Sequence, residues 1–142
     1  MRFMILVKAT RDSEAGVMPT EELLTAMVGY HEELAKAGVL LDGNGLKPTS
    51  EGWRIRWTGG KKTIVDGPFT EAKELVAGYT IIDVKSREEA LEWAKRYPNP
   101  SIADGEIEVR PMFELEDFGE SATIDRFREI GLAGPGNEPA KA

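Results

Sequence analysis

Hydrophobic residues begin almost at once, in the run FMILV at residues 3–7, where every position is apolar rather than every second one. A strand with this pattern is covered on both faces, as in the centre of a sheet. A lone two-layer domain covers only one face of its sheet. The run therefore predicts a central strand and either a third layer or a dimer.

A helix is predicted after Thr20, which is a suitable N-cap and is followed by two glutamates in the first turn. Apolar residues then recur at helical spacing as far as Leu34, and Gly38 is placed to end the helix. His31 falls inside the apolar arc of this helix rather than on its charged side.

The segment VLLDGNGLKPTSEG predicts a short strand and a glycine-rich loop, and WRIRWTGGKKTIV predicts a hairpin that turns at Gly59-Gly60. One face of the hairpin carries Trp53 and its apolar neighbours, and the other carries Arg54 and Arg56. YTIIDV then predicts a strand, Ser86 opens a second helix, and EIEVRPMF predicts the last strand.

The order of these elements is β-α-β, a hairpin, and β-α-β again. It predicts an α+β, ferredoxin-like βαββαβ domain with an extra β-hairpin, whose helices lie on one face of an antiparallel sheet. Two such sheets packed face to face would cover the second face. We assign residues 1–117 to this domain and residues 118–142 to a C-terminal extension, a short helix followed by a disordered tail.

The amino-acid composition and the net charge exclude or disfavour several classes of function. The 142-residue chain is 41% hydrophobic, enough for one domain, and it has no cysteine, which excludes disulfides and thiol chemistry. Its formal charge of −7 repels polyanions and argues against nucleic-acid binding. No segment approaches the length of a membrane span, and we expect a cytoplasmic protein without a membrane partner.

The stretch DGPF, residues 66–69, ends the hairpin and holds the first candidate for chemistry. Asp66 is either a general base or a turn cap that accepts the amide of Phe69 or Thr70, and the sequence favours the cap. The side chains of Glu71 and Lys73 point to the same side if the chain is extended there. They would then form an exposed ion pair or lie at the mouth of a pocket.

His31 is the only histidine of the chain. It is the best single candidate for an acid/base group near neutral pH, although a partly buried, hydrogen-bonded role is the commoner one for a histidine on an apolar face. A metal or haem would need further histidine or cysteine ligands, so we predict no metal and no cofactor.

Arginines on two predicted strands are candidates for binding an anionic ligand. Arg54 and Arg56 share one face of the hairpin, and Arg110 lies on the last strand, where Glu106 and Glu108 offer it ion pairs instead. Phe69 and the tryptophans have two possible roles: they line a ligand cavity, or they pack in the core and at a dimer interface. The packing role is favoured.

Several segments resemble the DGPF-domain branch of the YCII-related family over about residues 1–118: DGPFTEAKELVAGY, AGVLLDGNGLKP upstream, and SREEALEWAKRYPNP with GEIEVRPMFELEDF downstream. The resemblance implies a ferredoxin-like subunit in a dimeric α+β barrel. Most such proteins have no established activity; many are associated with extracytoplasmic-function sigma factors, and better understood relatives act on lactones or chlorinated aromatics.

In another branch of this family, a histidine on the first helix and an aspartate near the end of the second are proposed to act as a catalytic pair. Those positions fall near Met27 and Tyr97, so the present chain does not keep the pair. The residues of this chain that match the family motif are those of the DGPF stretch, Asp66 to Phe69. Glu71 and Lys73 follow just after it.

Two functions stay open on this basis, and with them the question of whether the chain is an enzyme. The first is a homodimer that binds a small, anionic or aromatic molecule near the DGPF turn, with metal-free catalysis by His31 and Asp66. Its ligand-binding residues would be Arg54, Arg56, Phe69, Glu71, Lys73 and Arg110. The second is a non-catalytic interaction or regulatory protein, for example one associated with a sigma factor, that uses residues 118–132.

Overall fold

The computed structural model of the chain describes residues 1–132. The strands are β1 (Arg2–Lys8), β2 (Leu40–Gly45), β3 (Trp53–Thr58), β4 (Lys61–Asp66), β5 (Val76–Asp83) and β6 (Ile107–Pro111). The α-helices are α1 (Arg11–Glu14), α2 (Glu21–Lys36), α3 (Arg87–Lys95) and α4 (Ala122–Glu129). Short 3-10 turns lie at Thr49–Glu51, Ala72–Glu74 and Leu115–Phe118.

Four of the strands form one antiparallel sheet in the order β2-β5-β1-β6, and β3 and β4 form a separate two-stranded hairpin. Strands β1, β2, β5 and β6 with helices α2 and α3 have the βαββαβ order of a ferredoxin-like fold. The predicted α+β class with an extra hairpin is therefore confirmed, as is the central place of β1.

The two faces of the sheet differ in how well they are covered. Helices α2 and α3 pack on the face that carries Phe3, Ile5 and Ile82, which are buried in the main core. The alternate residues Met4 and Leu6 point the other way and are only half-buried. This asymmetry agrees with the expectation that a third layer or a second subunit covers the other face of the sheet.

Local signals set most element ends. The Thr20 hydroxyl accepts the amide of Leu23 at 3.2 Å, and α2 stops before Gly38, whose φ of +74° favours glycine. The helix α1 was not predicted, because its four residues are too few to show a period. A reciprocal capping box between Thr10 and Ser13 begins it.

In the C-terminal extension, Ser121 caps the start of α4, because its hydroxyl accepts a hydrogen bond from the amide of Ile124. Ile124 is buried, whereas Phe127 and Ile130 are exposed. The domain boundary at residue 118 stays a prediction, and the tail predicted for the last ten residues lies outside the described part. Within residues 1–132, no helix combines the length and the apolar character that crossing a membrane requires.

Candidate functional site

The His31 ring lies between its own helix and the sheet. Its Nδ1 is 2.7 Å from the carbonyl oxygen of Met27, one turn earlier in α2, and its Nε2 is 2.8 Å from Oγ1 of Thr80 on β5. A carbonyl oxygen can only accept, so Nδ1 carries the proton of the neutral ring. Nε2 then accepts a hydrogen bond from the Thr80 hydroxyl.

Thr80 continues this chain of hydrogen bonds. It is fully buried, opposite Ile5 of the central strand, and its Oγ1 lies 3.3 Å from the hydroxyl of Tyr97. Because the Thr80 proton goes to His31, Oγ1 accepts the Tyr97 proton. The order of donors is therefore Tyr97, Thr80, His31, and we call these three side chains the relay.

Aromatic packing holds the relay in place. The ring of Tyr97 lies edge-on to those of Tyr30 and His31, at centroid distances of 5.0 and 6.2 Å. Tyr30 is itself fixed by a hydrogen bond of 2.7 Å from its hydroxyl to the carbonyl oxygen of Trp93. The relay is thus built between both helices and the sheet, with little freedom for rotamer change.

Burial sets the charge state of both tyrosines. Burial raises the pKa of Tyr97, and the hydrogen bond to Thr80 opposes this effect. The pKa of Tyr30 is raised to about 12, mainly by burial; the interactions with Tyr97 and Glu33 act in the same direction, and the charge of Arg96 opposes them. Tyr97 is therefore a protonated donor at neutral pH.

Alkaline pH should destabilise the protein through Tyr30. The pKa of Tyr30 is about 12 in the folded chain and 10 in the reference state, so above pH 10 the unfolded state loses its proton first. The free energy of unfolding should then fall by up to about 1.4 kcal/mol per pH unit, until pH 12. Urea unfolding at several pH values measures this slope. A Tyr30→Phe variant should show a shallower slope, with a remainder from Tyr97, whose pKa is also raised; an unchanged slope in that variant would contradict the assignment.

Tyr97 also lines a cleft of about 240 Å³ between the end of α3 and the start of β6. The other lining residues are Ala94, Pro98, Asn99, Pro100, Gly105, Glu106 and Ile107. One wall is a loop held by its own hydrogen bonds. The Asn99 side chain donates to the carbonyl of Ala103 at 2.8 Å and accepts the amide of Ser101 at 3.0 Å. The cleft is therefore largely pre-formed.

The DGPF turn is anchored by residues far away in the sequence. The amide of Phe69 donates to Oγ1 of Thr49 at 3.0 Å, and the amide and hydroxyl of Thr49 both donate to the carboxylate of Glu14. Asp66 was predicted to accept the amide of Phe69 or Thr70; for Phe69 this is wrong, because Thr49, held by Glu14, takes that amide. Asp66 itself is exposed at the end of β4.

Gly67 is the tightest point of this turn. Its amide donates to the carbonyl of Gly52 at 3.0 Å, and a Cβ at this position would lie 1.8 Å from the carbonyl oxygen of Thr49. Backbone fills the space that a side chain would need. The peptide bond to Pro68 is cis.

The remaining predicted ligand residues do not converge on His31. Arg54 stacks over the ring of Phe69, 3.7 Å from its centroid, and Arg56 is exposed on the hairpin. Glu71 and Lys73 are exposed beside or within a 3-10 turn, so the extended backbone assumed for them is wrong. Arg110 lies 4.0 Å from the carboxylate of Glu108, the alternative ion pair weighed for it.

Sequence reasoning placed His31 correctly on an apolar arc but missed the other two members of the relay. The one available signal was the hydroxyl of Thr80 between Tyr79 and the two isoleucines that follow it in YTIIDV. The sequence singled out Tyr97 only as the residue near the position of the aspartate in the catalytic pair of another branch of the family. Its contact with Thr80 depends on how α3 packs on β5, which no local pattern encodes.

Together, the fold and the site define a ferredoxin-like α+β protein with a partly buried histidine–threonine–tyrosine relay beside a small cleft. The chain belongs to the YCII-related domain family, which matches residues 1–116. It is 33% identical over 92 residues to an uncharacterised protein of Rhizobium meliloti (strain 1021), covering 65% of the present chain and 74% of that protein.

One similar solved structure is 5-chloro-2-hydroxyhydroquinone dehydrochlorinase from Burkholderia phenoliruptrix AC1100, in complex with 2,5-dihydroxybenzoquinone. The sequence identity is 16%, and the match covers 80% of the present chain and 95% of that chain, with a TM-score of 0.45. A likeness of this size says nothing about the chemistry of the present chain.

Proposed function

We propose that the protein binds a small ring-shaped molecule in the cleft beside Tyr97 and exchanges a proton with it through the relay. The observation that carries the proposal is the continuous series of hydrogen bonds from Tyr97, which lines the cleft, through Thr80 to the only histidine. Acid/base catalysis requires a titratable group within hydrogen-bond reach, directly or through a bridge.

The donor order fixes the direction of the proton step. A ligand O–H or acidic C–H gives its proton to the Tyr97 oxygen, Tyr97 passes its own to Thr80, and Thr80 passes its own to Nε2 of His31. The ligand becomes an anion and His31 an imidazolium that donates to Thr80 and Met27. The reverse sequence returns the proton, so the relay serves as base and then as acid without a metal.

The lining of the cleft indicates the kind of ligand. A cavity of about 150 Å³ holds benzene, so the 240 Å³ of this cleft suits one ring with small substituents. Ala94, Ile107 and two prolines give apolar walls, and Glu106 adds a carboxylate that disfavours an anionic ligand. We therefore favour an uncharged, aromatic or cyclic molecule.

The DGPF residues have a different place in this proposal. Membership of the DGPF-domain branch is also part of the proposal, and residues 66–69 with their sequence context support it. Asp66, Glu71 and Lys73 lie outside the cleft lining, and we assign Asp66 no proton transfer with His31. Binding of an anion by Arg54, Arg56 and Arg110 is a separate proposal, which would need these arginines to meet across a subunit interface.

A homodimer is part of the proposal. Met4 and Leu6 lie opposite Ile81 and Tyr79 on the face of the sheet that α2 and α3 leave free, and all four are only half-buried. Packing of two such faces would complete a dimeric α+β barrel and remove these side chains from water, at about 25 cal/mol for each Å² of apolar surface.

Binding in the cleft is tested by NMR titration with single-ring fragments. Phenols should shift the signals of Tyr97 and Ile107, and Tyr97→Phe should weaken their binding by up to about tenfold, because one hydrogen bond is lost. Toluene, which has no polar group, should bind both forms equally. Tyr79→Phe on the other sheet face is the control. Shifts confined to the DGPF turn would contradict the proposed site.

An interaction protein is the second candidate, and exposed apolar residues in the C-terminal extension favour it. Phe118, Ile130 and Leu132 are each more than half exposed. In this function a protein partner, for example a sigma-factor-linked one, would bind residues 118–132. A partner that still binds after removal of all residues beyond Phe118 would rule this segment out.

A further inference from the structure

The hairpin β3–β4 exposes a continuous apolar face. Ile55 lies directly opposite Ile64, and Trp53 and Trp57 flank them on the same face of the ladder. Trp53, Trp57 and Ile64 are each 66–69% exposed, and Ile55 is 43% exposed. Large apolar side chains grouped in this way, tryptophan above all, are typical of a surface that another protein covers.

The hairpin is fastened to the rest of the chain mainly at its base. Gly67 bonds to Gly52 and Phe69 bonds to Thr49, whereas the strands themselves form a separate two-stranded sheet. A two-stranded sheet alone is marginally stable in water. Burial of its apolar face against a further surface would stabilise it.

The positive charge of the hairpin is matched by an acidic surface elsewhere on the same chain. The hairpin, residues 53–66, has four basic residues and one acidic residue, a net charge of +3 that leaves −10 for the rest of the chain. Residues 113–120 contain four acidic residues and no basic one; Arg2 pairs with Glu114 and Arg128 with Glu116, which leaves Asp117 and Glu120 to give this surface its negative charge. Within them, Phe113 and Phe118 pack 5.0 Å apart and are 73% and 61% exposed.

We propose that the apolar face of the hairpin docks on the Phe113–Phe118 patch of a second copy of this chain, reciprocally, in a two-fold dimer. Each patch has an aromatic centre, and Lys62 on the apolar face of one hairpin, with Lys61 next to it at the tip, faces the exposed carboxylates of Asp117 and Glu120 on the other subunit. Two hairpins repel each other, so hairpin-to-hairpin contact is disfavoured. The inference rests on the homodimer proposed above and adds which surfaces meet at its rim.

Tryptophan fluorescence and sedimentation of the unmodified protein test the docking together. Trp93 is buried within the subunit, so only Trp53 and Trp57 should change on association. At concentrations where sedimentation shows a dimer, both should be protected from iodide quenching. Dilution to monomer should expose them to quenching, and higher salt should promote the same change.

A charge swap tests the pairing of the two rims. Lys62→Glu, next to Trp57 in the hairpin, should weaken dimerisation about tenfold by placing like charges together. Adding Glu120→Lys to that variant should restore it, whereas Lys85→Glu, an exposed lysine outside both patches, should change nothing.

Each outcome decides between the proposals. A dimer with freely quenched Trp53 and Trp57 overturns the docking and leaves the homodimer standing. A monomer at all concentrations overturns both. Assemblies that grow beyond two copies overturn the reciprocal arrangement, because contacts of this kind that do not close form open chains.

Discussion

Replacing His31 by glutamine should slow proton exchange with a bound ligand by about 10²- to 10⁴-fold, the usual contribution of one acid/base group. Glutamine can still hydrogen-bond to Thr80 but cannot take its proton. The measurement uses single-ring cyclic ketones, which carry acidic C–H groups next to the carbonyl, incubated in D₂O with the protein. Loss of their acidic C–H signals reports the exchange rate.

Three further variants separate proton transfer from general damage. Thr80→Val removes the bridging hydroxyl and should slow exchange as His31→Gln does, while Thr80→Ser keeps the hydroxyl and should restore most of the rate. Glu32→Gln changes the next, exposed residue of α2 and should have no effect. Equal exchange rates in the wild type and in His31→Gln, for every ligand that binds, would refute the relay.

Replacing Gly67 by alanine should lower the free energy of unfolding by about 3 kcal/mol, at the upper end of the usual cost of overpacking. The new Cβ would lie 1.8 Å from the Thr49 carbonyl oxygen, which is backbone and cannot rotate away. Relief of the clash must move Thr49, whose hydroxyl holds the Phe69 amide. Urea unfolding monitored by circular dichroism measures the loss.

Gly45→Ala is the matched control for Gly67. Gly45 also lies at the end of a strand, and a Cβ there would meet no atom within 4 Å. The control should therefore change stability by less than about 0.5 kcal/mol. Similar losses in both variants would show that Gly67 has no special packing role.

The order of elements could be predicted from the sequence because its signals are local. The cap at Thr20, the glycine at position 38 and the Gly59-Gly60 turn each act within a few residues, and all three are found. The period of the apolar residues then assigned each segment to helix or strand.

The site could be predicted only in part, because its contacts join distant segments. Thr80 lies 49 residues from His31 and 17 from Tyr97, and the DGPF turn depends on Thr49, 20 residues before Phe69. Such pairs follow from how elements pack on one another, for which a single sequence offers no period or spacing. The motif that stood out, Asp66 to Phe69, proved to be fixed by its neighbours rather than joined to His31.

The protonation of the His31 ring tests the central claim most directly. This histidine gives a single set of ring nitrogen signals in an NMR spectrum, because the chain has no other. For the neutral ring, the relay predicts a protonated Nδ1, held by Met27, and a bare Nε2 whose signal moves when Tyr97 is replaced by phenylalanine. A proton on Nε2 instead, or a signal indifferent to Tyr97, would contradict the relay.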